Sequence, residues 1–136
     1  MSKREMNNTE RSIFIFSLYE FITGTSFLLY PKPIAILAGV PTEPYSVLAG
    51  WHVVGLLILI KGMIDFQAGR TGEMKPYYPI SIFSRFLIFI VLSIMTILGF
   101  FNYIGVLFGS VDLICAIWTL QCVKKDKEVQ NKVKES

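Results

Sequence analysis

Residues 79–122 read PISIFSRFLIFIVLSIMTILGFFNYIGVLFGSVDLICAIWTLQC, and only two charges, Arg85 and Asp112, interrupt the run. As one helix it would extend about 65 Å at 1.5 Å per residue, twice the ~30 Å hydrocarbon core of a bilayer. The run therefore predicts two spanning helices, at 79–100 and 102–122. The break falls at Gly99-Phe100-Phe101-Asn102, because Gly and Asn tolerate turn backbone angles. Upstream, the same criterion marks spans at 12–30 and 46–67. The expectation is an all-α integral membrane four-helix bundle, one domain over residues 1–136.

Composition agrees. Apolar residues make up 53% of 136, charged residues 17%, and mean hydropathy is +0.54. With glycine counted, the apolar share is about 60%, against roughly 45–50% for a soluble domain. A single soluble domain of this length cannot bury so much apolar surface, which argues against a soluble enzyme. The same numbers argue against disorder, a disulfide scaffold and a nucleic-acid-binding module. Cys115 and Cys122 stand seven apart, about two helical turns, too far for a disulfide. His52 is the sole histidine and has no Cys or His partner in metal-ligand spacing. No cofactor is expected.

The first span does not read as a cleaved secretion signal. Glu20 interrupts its core, and no small-residue cleavage site precedes Pro31 and Pro33. In the connection Pro31–Tyr45, the apolar stretch Ile34–Gly39 reads as a short interfacial helix or re-entrant turn. Tyr30, Tyr45, Tyr77, Tyr78 and Tyr103 fit an interfacial aromatic belt. The tail after Cys122 reads as a charged helix extension. Ten of the thirteen Lys and Arg fall on one side of the four spans: Lys3, Arg4, Arg11, Arg70, Lys75, Lys124, Lys125, Lys127, Lys132 and Lys134. Lys32 alone is on the other side. The positive-inside rule then places both termini in the cytoplasm, in an inner or plasma membrane.

Six ionisable residues lie inside the spans: Glu20, His52, Lys61, Asp65, Arg85 and Asp112. Each costs roughly 2.5–3.5 kcal/mol on insertion scales, so each requires a reason. All but His52 fall in the basic half of the bilayer or near its middle. Small and polar residues align with them at helical spacing. The stripes are Phe16, Glu20, Thr23 and Ser26 in the first span; Leu48, Trp51, Gly55, Ile58, Gly62 and Asp65 in the second; Ser81, Arg85, Ile88, Leu92, Thr96 and Gly99 in the third; and Gly105, Gly109, Asp112, Ala116 and Thr119 in the fourth. Such stripes pack helices closely and bond across them.

These positions predict a shared polar cluster or ligand-binding pocket of Glu20, Asp65, Arg85 and Asp112, with Lys61 beside it and paired to Asp65 at i,i+4. If all ionise, three carboxylates against two cations leave one negative charge, a place for a proton, a cation or a polar ligand group. The plainer expectation is that Arg85 pairs with Asp112 or Glu20 to hold the helices, while Lys61 and Asp65 reach toward the headgroups. His52 and Trp51 mark an outer-side position typical of interfacial rings.

Residues 11–68 resemble the DoxX-like small four-helix membrane proteins. The resemblance rests on Arg11 opening the first span, Gly24 inside it, the Leu37–Pro41 segment Leu-Ala-Gly-Val-Pro, and a second span closed by Gly62. It implies a four-helix membrane fold and an accessory or ligand-binding role, and some members of that family are described as membrane subunits of oxidoreductases. The acidic residue the family often carries early in its second span is replaced here by Trp51 and His52, which removes support for a redox role. Glu20-Phe-Ile-Thr-Gly-Thr is similar to the first span of the small multidrug resistance transporters, with one residue inserted. That likeness implies proton coupling at Glu20, although Asp65, Arg85 and Asp112 depart from the pattern. Alternative functions are thus a proton- or cation-coupled transporter and a membrane-embedded acid–base enzyme acting on a lipid. No nucleophile–base pair or phosphate loop identifies an enzyme. The expected partners are the lipid bilayer and either a membrane partner protein or a second copy of the chain.

Overall fold

A computed structural model of the chain describes residues 5–135. Lys3 and Arg4 of the basic N-terminal flank lie outside the described residues. The described chain is helical with no strands: α1 (Asn8–Leu29), α2 (Pro31–Leu37), α3 (Ser46–Thr71), a 3-10 turn at Lys75–Tyr77, α4 (Tyr78–Ile97) and α5 (Tyr103–Glu135). Four of these helices are long and apolar enough to cross a membrane.

Local chemistry sets the helix ends, and several differ from the apolar boundaries. α1 begins at Asn8 rather than residue 12, because Asn7 and Glu10 form a capping box. The Asn7 side chain accepts the Glu10 N–H at 2.8 Å, and the Glu10 carboxylate accepts the Asn7 N–H at 3.1 Å. α3 continues to Thr71 and stops at Gly72, whose φ of 62° only glycine adopts freely. α4 ends at Ile97, three residues short of the apolar boundary. Its Phe100 N–H bonds the Met95 carbonyl and its Gly99 N–H the Thr96 carbonyl, a Schellman closure. α2 ends the same way, through Val40 to Ala35 and Gly39 to Ile36. Asn102 then caps α5 by accepting the Ile104 N–H at 2.9 Å. Asn102 also ties this turn to α2, donating its backbone N–H to Ala38 and its side-chain amide to Leu37. α5 has 33 residues. It is about 50 Å long, well beyond the ~30 Å that crossing a bilayer's hydrocarbon core requires.

The closest helix pair is α1 with α3. Gly55, Gly62 and Gly69 recur every seven residues along α3 and face α1. A Cβ on Gly55 would lie 2.6 Å from the Leu28 backbone nitrogen, so the two backbones are in direct contact there. Lipid tails are as apolar as leucine, so this packing must come from close approach rather than hydrophobic burial. α4 packs on α5, and α5 packs on α1. The helices thus follow one another around the bundle as α3, α1, α5 and α4. Large apolar side chains such as Leu57, Met63, Phe83, Ile97 and Ile114 point outward, as a lipid-facing surface requires. Cys115 and Cys122 are free thiols.

Candidate functional site

Three pairs at i,i+4 spacing build the polar centre: Phe16 and Glu20 on α1, Lys61 and Asp65 on α3, and Ser81 and Arg85 on α4. One helical turn between partners places each pair on a single face. Arg85 and Asp65 both have 0% exposure, and their ion pair measures 3.2 Å. The same Arg85 nitrogen, Nη2, donates to Ser81 Oγ at 3.1 Å, and Nη1 donates to Thr119 Oγ1 of α5 at 3.0 Å. Ser81 donates in turn to Asp65 at 3.0 Å. The guanidinium lies 3.7 Å from the Phe16 ring centroid, a cation–π stack that also packs its flat face. Ser12 Oγ lies 3.2 Å from Thr119 Oγ1, bringing α1 to the same junction.

Lys61 extends the chain of charges. Its Nζ donates to Asp65 Oδ2 at 2.8 Å and to Glu20 Oε1. Its side chain is 22% exposed. The result is a row of alternating sign, Glu20, Lys61, Asp65 and Arg85, whose formal charges cancel. Buried charges persist only when paired in this way. α1, α3 and α4 supply its charges, and α5 adds the Thr119 hydroxyl beside Arg85.

Arg85 takes Asp65 as its carboxylate, not Asp112 or Glu20. Nor do Lys61 and Asp65 reach toward the headgroups; Asp65 is sealed between Ser81, Arg85 and Lys61. Depth had permitted all three carboxylates, and the rotation of α3 decides among them. Asp112 is buried on α5 at 8% exposure, within electrostatic reach of Lys61 and Arg85. Among the described residues no ion pair reaches it. Glu20 Oε2 and Arg85 Nε are buried without a hydrogen-bond partner. No three His, Cys, Asp or Glu side chains form a metal-binding group among the described residues.

The opposite half of the bundle is different. His52 Nδ1 meets the Leu28 carbonyl at 2.7 Å, a tie between α3 and α1. Trp51 packs on Phe27 and Phe101, with ring centroids 5.2 and 6.1 Å away. Beside Trp51 is a cavity of about 530 Å³. Val54 of α3, Val91 and Met95 of α4, and Phe108 of α5 line it, with Phe101 from the α4–α5 turn. Drug-sized ligands occupy cavities of this size, roughly 300–1,000 Å³.

Ser81, Thr119 and Phe16 are stripe residues; Ser81 and Phe16 stand four residues from Arg85 and Glu20, and Thr119 seven from Asp112, spacings that share a helix face with a charge. Ser12 marked only a span boundary. The cavity left no mark in the sequence, since its lining is ordinary apolar residues. Compared with known proteins, the chain matches no family model, no curated protein and no solved structure.

Proposed function

We propose that this chain is a multi-pass membrane protein of the accessory or ligand-binding kind, holding the apolar body of a lipid-like molecule in its outer half. The observation that carries the reading is the apolar cavity of about 530 Å³ beside Trp51. α3 and α4 line two of its sides, yet each packs on a different partner, α1 and α5. A ligand would therefore enter laterally from the bilayer, between α3 and α4. The polar row at the other end would keep those helices joined while the outer half admits the ligand.

Both termini are assigned to the cytoplasm, in an inner or plasma membrane, and the charge asymmetry supports this. The DoxX-like resemblance remains the family reading, supported by the Pro-bearing connection that forms α2 and by the long helix after it.

The test is native mass spectrometry of protein purified gently from its own membranes, with an organic extract of the same sample. We expect a co-purifying apolar molecule, lost in Val54→Trp and Val91→Trp while helical content is kept. A bare wild-type chain, or equal retention in the filled variants, would sink the proposal.

A second reading, a proton- or cation-coupled transporter, is favoured by the unpartnered Glu20 Oε2 and by Asp112, which has no ion pair among the described residues. Its test is pH-driven flux in liposomes, which Glu20→Gln or Asp112→Asn should block. Unchanged flux in both variants would reject it.

A further inference from the structure

At the end of the bundle where α1 begins and the basic stretch of α5 lies, α4 and α5 border a second cleft, of about 570 Å³. It shares no lining residue with the outer cavity or with the row of buried charges. Ile82 and Phe86 of α4 and Leu120 and Val123 of α5 supply an apolar wall, while Lys75 and Lys127 supply cations. We propose that this cleft binds one anionic phospholipid, with its phosphate held by Lys75 and Lys127 and an acyl chain laid along Ile82, Phe86 and Leu120.

Three observations support that occupant. The first is the order of groups along the helices. Lys127 stands seven residues beyond Leu120 on α5, and Lys75 eleven before Phe86. Seven residues are about 10 Å of helix, so the cations sit at headgroup level and the apolar wall beneath them at chain level.

The second is charge. Among the described residues Asp126 is the one carboxylate in the lining, and it is already engaged. It accepts from Asn8 Nδ2 at 2.9 Å, from the Thr9 N–H at 2.9 Å and from the Thr9 hydroxyl at 2.7 Å. Among the described residues neither Lys75 nor Lys127 is in an ion pair. The cations are thus left for an external anion. A headgroup carrying its own ammonium would set that cation against them, so the site should distinguish phosphatidylglycerol from phosphatidylcholine.

The third is access. Phe83 borders the same cleft and is 67% exposed, so the apolar wall continues onto the lipid-facing surface. Lys124, Lys125, Lys132 and Lys134 on the same helix would gather anionic lipid toward it.

The experiment uses the full chain in mixed micelles of phosphatidylglycerol and phosphatidylcholine at equal amounts, with retained lipids counted by native mass spectrometry. Wild-type protein should keep one phosphatidylglycerol after other lipids are stripped. The double variant Lys75→Gln, Lys127→Gln should lose that retention by about tenfold. Lys132→Gln with Lys134→Gln removes the same charge outside the cleft and should keep it. Equal loss in both double variants would reduce the effect to the general attraction of a basic tail and overturn the proposal. So would equal retention of the two lipids by wild type, a result that needs no variant to fold. Release of the lipid by inorganic phosphate alone would overturn the acyl half. The lipid counted here is read separately from any molecule in the outer cavity, because Val54→Trp and Val91→Trp leave this cleft untouched.

Discussion

Near the basic end of the bundle, α3 and α4 are joined by Asp65 and Arg85 at 3.2 Å, with neither residue exposed. Toward the other end, the same two helices line a cavity of about 530 Å³. The difference follows from the solvent. In hydrocarbon, apolar side chains gain little by leaving lipid for one another, so helices associate through close backbone approach and polar bonds. α1 and α3 use the first means, through Gly55 and Gly69. α3 and α4 use the second, and only where Asp65, Ser81 and Arg85 meet. Where neither device is present, aromatic rings border an unfilled space. A bundle can thus be firm at one end and receptive at the other within a single pair of helices.

The largest way to break this contrast is Arg85→Ala. It strips Asp65 of one cation, leaves Ser81 and Thr119 without their donor, and empties the space over Phe16. Breaking a buried pair from one side costs about 3–5 kcal/mol. Thermal unfolding in detergent should show a large drop, and adding Asp65→Asn to Arg85→Met should recover much of it. An Arg85→Ala protein as stable as wild type would mean the ion pair does not hold the basic end.

Gly55→Ala probes the other kind of joint. Its new methyl would sit 2.6 Å from the Leu28 nitrogen and 2.8 Å from the Gly24 carbonyl oxygen, both backbone atoms. α1 and α3 must part, at about 1–3 kcal/mol for overpacking. Gly50→Ala on the same helix is the control, since a Cβ there meets nothing within 4 Å. It should be neutral, or stabilising by helix propensity. Equal behaviour of the two variants would remove close approach as the bond between α1 and α3. Smaller still is the stability change on filling the cavity beside Trp51. Val91 is half-exposed and borders open space, so Val91→Trp should cost less than the overpacking at Gly55 while abolishing ligand retention. A large stability loss would show that the space is closed rather than receptive.

How far the sequence could be read follows the same physics. Membrane insertion makes apolar runs and buried charges conspicuous, so the four long helices and the residues Glu20, Lys61, Asp65, Arg85 and Asp112 stood out. The partner of Arg85 did not. Three carboxylates lay at suitable depth, and choosing Asp65 requires the rotation of α3 about its axis, which its glycine face against α1 sets in three dimensions. Helix ends were blurred because hydropathy marks the lipid boundary, whereas Asn7 and Glu10 start α1 by hydrogen bonding outside it. The cavity was invisible, since Val54, Val91 and Phe108 read alike whether they pack together or stand apart.

The basic end has one more joint, outside the hydrocarbon, and it should respond to pH. α5 continues past Lys125, and Asp126 accepts from Asn8 and Thr9 at the start of α1. The Thr9 N–H belongs to the first turn, which has no carbonyl of its own helix to bond. Asp126 therefore caps α1 from a different helix. Burial pushes its carboxyl upward, but the hydrogen bonds from Thr9 and Asn8 outweigh burial and hold it below its ordinary 3.8. A lowered carboxyl in the folded state stabilises above its unfolded value, and that contribution is lost as pH falls through the folded value. The joint should be intact at neutral pH and release below about pH 4. The effect is small, because a partly exposed carboxylate at the bundle surface is screened by water and salt. In an NMR titration the Thr9 amide should shift with acid in wild-type protein and stay fixed in Asp126→Asn, while the buried Arg85 junction is unmoved in both. A Thr9 shift that persists in Asp126→Asn would show that a group other than Asp126 senses the acid and would reject this joint as the pH-sensitive one.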